Sequence, residues 1–124
     1  MTITDNKTIK AIQVEFNTKF PYLKLEFYAH EHEEQEGSPD RDKLADTFTI
    51  GNARTQMNEG DLSIHANQKV STLEQNFHDI YGLNVQVFRK SGDVWLQTTA
   101  TDHWTLHKQN EKGAIADNIT KTSA

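Results

Sequence analysis

The stretch KVSTLEQNFHDIYGLNVQVFRKSG, residues 69–92, changes its period half-way along. Val70, Leu73, Phe77 and Tyr81 recur in steps of three, four and four, the apolar stripe of an amphipathic helix. Gly82 supplies the stop, because glycine takes the left-handed conformation that closes a helix at no steric cost. Leu83, Val85 and Val87 then alternate with Asn84 and Gln86, the two-residue period of a strand with one buried face. Ser71 and Glu74 stand three apart at the start of the stripe, the spacing of a capping box.

An equivalent stretch lies 61 residues upstream. Ile9, Ile12, Phe16 and Phe20 repeat the steps of three, four and four, and Pro21 replaces Gly82 as the stop by withholding a backbone donor. Leu23, Leu25 and Phe27 then alternate with Lys24 and Glu26, matching Leu83, Val85 and Val87 after a one-residue slip. The shared spacing predicts a duplicated α–β unit, two helices each feeding a strand.

The remaining segments attach to that skeleton. GDLSIH (60–65) reads as a short strand ahead of the second helix, with Leu62 and Ile64 on one side. RKSGDVWLQTT (89–99) reads as a hairpin, turning at Ser91-Gly92 or Gly92-Asp93 and returning through Val94. Residues 29–60 form a long polar loop or partly ordered insertion, in which DTFTI (46–50) is expected as an edge strand. Residues 1–113 are read as one domain, and 114–124 as a loose tail without a core-forming pattern.

The expected fold is therefore α+β: a two-layer sandwich with a mostly antiparallel sheet of four or five strands and two helices on one face. The strand, helix and hairpin of the second half are similar in outline to part of a ubiquitin-like β-grasp. Their Ser91-Gly92-Asp93 turn also resembles the helix-to-hairpin step of the acidic-turn interaction domains. The acidic cluster that defines the binding surface of those domains has no counterpart around this turn.

Composition narrows the function classes. The chain has 124 residues, enough to bury a core without covalent staples, and it contains no cysteine. Disulfides, thiolate nucleophiles and cysteine-held zinc are thereby excluded. A formal net charge of −5 disfavours nucleic acid and anionic membrane surfaces as partners. The first residues lack the apolar run of a secretory leader, and no segment approaches the roughly 18 apolar residues of a membrane span, so a cytoplasmic location is expected. Neither a nucleophile elbow nor a phosphate-cradling glycine pattern occurs.

Two histidine clusters raise the question of a divalent metal. In DHWTLHKQN (102–110), His103 and His107 share a helix face if Asp102 is the cap, but not if Thr105 is. A third ligand is lacking, and an exposed polar helix anchored by Trp104 or Leu106 is the simpler reading. In HEHEEQE (30–36), His30 and His32 point one way along an extended chain while the flanking carboxylates point the other. That stretch reads as a solvated acidic loop.

The aromatic residues are more informative. Tyr28 and Phe88 have the strand parity opposite to the buried set, and Trp95 sits out of phase with Val94 and Leu96. The three are expected to emerge on the helix-free face of the sheet as an exposed binding patch, unless the 29–60 loop covers it. The leading expectation is thus a non-enzymatic interaction module that binds a protein partner, or forms a homodimer, through that face or a strand edge, with no cofactor. The alternative is a metal-binding protein or metal-dependent enzyme using His103, His107, His30 and His32, and a smaller possibility is a ligand stacked on Trp95.

Overall fold

A computed structural model describes residues 1–29, 40–55 and 60–123, with side chains described as far as Asn118. Its order is β1 (Thr2–Ile3), α1 (Ile9–Lys19), β2 (Leu23–Tyr28), a 3₁₀ turn at Asp40–Asp42 and α2 (Ile50–Ala53). There follow β3 (Gly60–Asp61), α3 (Val70–Tyr81), β4 (Asn84–Ser91), β5 (Val94–Gln97), a 3₁₀ turn at Thr99–Thr101 and α4 (Leu106–Ser123). The architecture is α+β with antiparallel strands in two sheets, a three-stranded β2-β4-β5 and a two-residue ribbon β1-β3.

Both periodic stretches fold as their spacing dictates. Ile9, Ile12 and Phe16 of α1 and Val70, Leu73 and Phe77 of α3 are buried against Leu23, Leu25 and Phe27 of β2 and Val85 and Val87 of β4. Phe27 meets Phe77 edge-on with ring centroids 6.0 Å apart, joining the two halves at the centre of the core. Gly82 ends α3 at φ 63°, while α1 stops at Phe20, ahead of Pro21. In the antiparallel register Leu25 faces Val87 and Phe27 faces Val85, so each residue meets the spacing counterpart of the other.

The helix starts pair off in space. The amides of Ile9 and Lys10 donate to the carbonyls of Phe48 and Asp46 at 2.9 and 3.0 Å, and those of Ile50 and Gly51 donate back to Lys7 and Asp5 at 2.8 and 3.1 Å. The amides of Val70 and Ser71 likewise reach Trp104 and Asp102 at 3.0 and 2.7 Å, while Leu106 and His107 return to Gln68 and Ala66 at 2.9 and 2.7 Å. Each turn thus supplies carbonyls to the first amides of the other helix, groups that no helix can satisfy internally. Thr8, Thr49 and Thr105 add hydroxyl caps, accepting from Ala11, Asn52 and Lys108.

Four expectations are corrected by this arrangement. DTFTI is no edge strand: Thr49 caps α2, and the segment bonds to the start of α1 instead of to a sheet. Ser71 and Glu74 form no capping box, since Lys69 is the cap of α3, Ser71 takes the Asp102 carbonyl and Glu74 turns to the sheet. The strand ahead of α3 is Gly60–Asp61 and pairs with β1, so the β-grasp outline, which needs it beside the hairpin, is not reproduced. Residues 114–123 continue α4 rather than forming a loose tail.

That last helix is held by contacts its apolar pattern does not reveal. Gln109 is fully buried, donating to the carbonyl and hydroxyl of Thr101 and accepting from Arg89 at 2.8 Å. Asn110 accepts from the amide of Tyr22, and the buried Asp117 pairs with Lys90 at 3.3 Å. Gly113 permits close approach, because a Cβ there would lie 2.8 Å from the Cβ of Tyr22.

Candidate interaction surface

The register decides which side chains reach the helix-free face. Lys24, Glu26 and Tyr28 of β2 lie there opposite Phe88, Gln86 and Asn84 of β4, and Trp95 of β5 lies opposite Lys90. Tyr28, Phe88 and Trp95 share this face, but they do not form one exposed patch. Tyr28 is 2% exposed and Phe88 8%, whereas Trp95 is half-buried. Part of the cover comes from Lys43, whose segment bridges Tyr28 along the outer edge of β2 and whose ammonium lies 5.9 Å from the Phe88 ring. Lys43 also pairs with Glu26 at 3.6 Å.

Among the described residues the Tyr28 hydroxyl and Oε1 of Gln86, both buried here, have no hydrogen-bond partner. Loss of water around the phenol, with Glu26 and Asp40 nearby, holds the Tyr28 pKa above the usual tyrosine range.

Toward β2 the face opens into a groove of about 310 Å³ between α1 and the strand. Its floor is satisfied internally: Asn17 donates to the Leu23 carbonyl and Gln13 to the Leu25 carbonyl, each at 2.8 Å. These amides, four apart on α1, take the hydrogen bonds a neighbouring strand would otherwise make, and so close part of the β2 edge. Lys24 stands at the rim with its ammonium 5.0 Å from the Trp95 ring and 5.3 Å from Phe88. Sequence reading missed Lys24, Gln13 and Asn17; the amide spacing at 13 and 17 beside a strand was the available signal.

The opposite edge of the sheet is different. Gly92, at φ 61°, and Asp93 form a two-residue turn that pairs Ser91 with Val94. The amide of Thr98 donates to the Val87 carbonyl at 3.2 Å, which sets the phase of the ladder. In that phase Val94 and Leu96 bond toward β4, and the backbone N–H and C=O of Trp95 point outward. Val94 is 56% exposed and Leu96 42%. Beyond β5 the ladder is continued by a side chain: Glu74 of α3 accepts from the amide of Val87 at 3.0 Å.

His103 and His107 are not brought together on one helix face. Thr105, not Asp102, caps α4, which leaves His103 in the turn ahead of the helix, edge-on to Trp104 at 6.5 Å. His107 pairs with Glu111 one turn along at 3.1 Å. Among the described residues no group of three histidine, aspartate or glutamate side chains is placed to hold a metal ion, and His30 and His32 lie outside them. Trp104 packs between Arg89 and Lys108, whose cationic centres lie 5.8 and 4.3 Å from its ring.

Among the described residues no helix is long and apolar enough to cross a membrane. The chain matches no protein-family model, no curated protein and no solved structure.

Proposed function

We propose that this chain is a non-enzymatic interaction module that engages a protein partner, or a second copy of itself, by adding a strand to β5. The observation that carries this reading is the state of that edge. A four-residue strand ends the sheet with outward-facing backbone groups at Trp95 and two exposed aliphatic side chains, Val94 and Leu96. Unpaired edges are templates for pairing, and proteins commonly blunt them with charge, proline or a cover. On the β2 side that cover exists, supplied by Gln13, Asn17 and the 42–44 segment. Among the described residues no equivalent cover reaches Trp95 on β5.

The test is a matched pair of baits, the wild-type chain and a Val94→Lys/Leu96→Lys variant, used for affinity capture beside light scattering of each purified protein. A partner or dimer that is lost on the charged edge supports the reading. Equal capture and equal mass for both proteins would reject it.

We also read the chain as a duplicated α–β unit. Support comes from the 61-residue spacing, from the two interlocked pairs of helix starts, and from the β2–β4 register, in which counterparts face one another about Glu26 and Gln86. On that reading β5 is an addition to the second unit alone, at the place where the first unit closes its edge with side-chain amides.

A further inference from the structure

From the groove between α1 and β2 we infer that it is a seat for an acidic peptide, whose carboxylate lies against Lys24 and whose apolar neighbour packs on Trp95 and Val14. The groove holds about 310 Å³, near the lower end of the range for ligand sites. Its charge is positive at the rim. Lys24 has no acidic partner among the described residues, and Lys10 keeps only a 3.9 Å contact with Asp46. The one carboxylate in the lining, Glu26, is already committed to Gln13 and Lys43. A basic rim on a chain of net charge −5 is a local contrast that selects an anionic ligand.

Positioning adds to charge. The rings of Phe88 and Trp95 hold the Lys24 ammonium in place without neutralising it, so little side-chain freedom is lost when a carboxylate arrives. Val14, at 56% exposed, and the half-buried Trp95 supply the apolar walls. Because Asn17 and Gln13 already occupy the Leu23 and Leu25 carbonyls, the peptide is read through its side chains and not by extending β2. This seat is independent of strand addition at β5, which uses the backbone of Trp95 rather than its ring.

The test follows Trp95 fluorescence in a Trp104→Phe background, titrating a blocked peptide of alternating glutamate and valine. A saturable change is expected, weakened by added salt and lost when glutamine replaces glutamate. Lys24→Gln should weaken binding roughly three- to fivefold, the scale of a partly exposed ion pair, while Lys24→Arg retains it. Absence of a Trp95 response, equal affinity of Lys24→Gln, or equal affinity for the glutamine peptide would overturn the inference. So would glutarate binding as tightly as the peptide, which would mark a small-molecule site. The Val94→Lys/Leu96→Lys variant should bind the peptide unchanged; loss there would place the peptide on β5 instead.

Discussion

Lys69 faces Thr105 across an isolated antiparallel bridge, each at the cap of its own helix, and only Thr105 closes that cap with a side-chain hydrogen bond. Thr8 and Thr49 stand in the same relation at the other interlocked pair, and there both hydroxyls are used. Lys69 is exposed, so its aliphatic stem fills no space that a shorter residue would leave empty. Lys69→Thr should therefore stabilise the protein by about 1 kcal/mol, the usual worth of a threonine cap. Thermal or urea unfolding of the variant checks this, and Lys69→Val, with similar bulk and no hydroxyl, should show no gain.

Glu74 is the α3 counterpart of Gln13 on α1, and both turn from a helix to satisfy a strand. Gln13 donates to a carbonyl of β2, whereas Glu74 accepts from the Val87 amide where β5 has run out. Truncation would leave that buried amide unpaired. Glu74→Ala should cost about 2 kcal/mol in urea unfolding, and Glu74→Gln, which keeps an acceptor oxygen, distinctly less.

The Tyr28 hydroxyl is buried without a partner among the described residues, a cost that phenylalanine would not carry. Tyr28→Phe should raise stability at neutral pH by about 1 kcal/mol. The alkaline limb gives an independent reading. Burial first, and Glu26 and Asp40 after it, raise the folded pKa, so this contribution is fully present below the ordinary tyrosine value near 10 and is lost as pH rises beyond it. Wild type should lose stability above about pH 10, and Tyr28→Phe should lose less.

Asp5 accepts from Nε and Nη2 of Arg54 at 2.5 and 2.7 Å, clamping the turn before α1 to the residue after α2. The hydrogen bond from Arg54, more than its charge alone, lowers the Asp5 pKa from its ordinary 3.8. A depressed carboxylate stabilises the fold above its unfolded value, and that stability is lost as pH falls through the lower folded value. The acid limb of a stability–pH profile, from about pH 4 downward, should therefore be shallower in Asp5→Asn than in wild type. Identical limbs would show that the clamp does not contribute.

Legibility in the sequence followed periodicity. The helix and strand of each half were readable because Ile9 to Phe27 and Val70 to Val87 write their buried faces as regular apolar steps. The hairpin was readable from Gly92-Asp93 for the same local reason. What escaped was structure set by long-range backbone bonds. The start of α2 is made by Lys7 and Asp5, over forty residues away, so TFTI looked like a strand by its β-branched residues. α4 buries polar Gln109 and Asp117 through partners on β4 and the preceding turn, which no hydrophobic pattern announces. Parity located Tyr28, Phe88 and Trp95 on one face, but parity says nothing of cover, and Lys43 reaches that face from a segment without periodic signal.

Hydrogen exchange at the Trp95 amide tests the central claim most directly. In the free chain this outward-facing group should exchange quickly, while its neighbours Val94 and Leu96, bonded to β4, are slow. In the complex captured by the wild-type bait, or in the self-associated state, Trp95 should become protected as well. Unchanged exchange at Trp95 while another surface gains protection would contradict the assignment of β5 as the interaction edge.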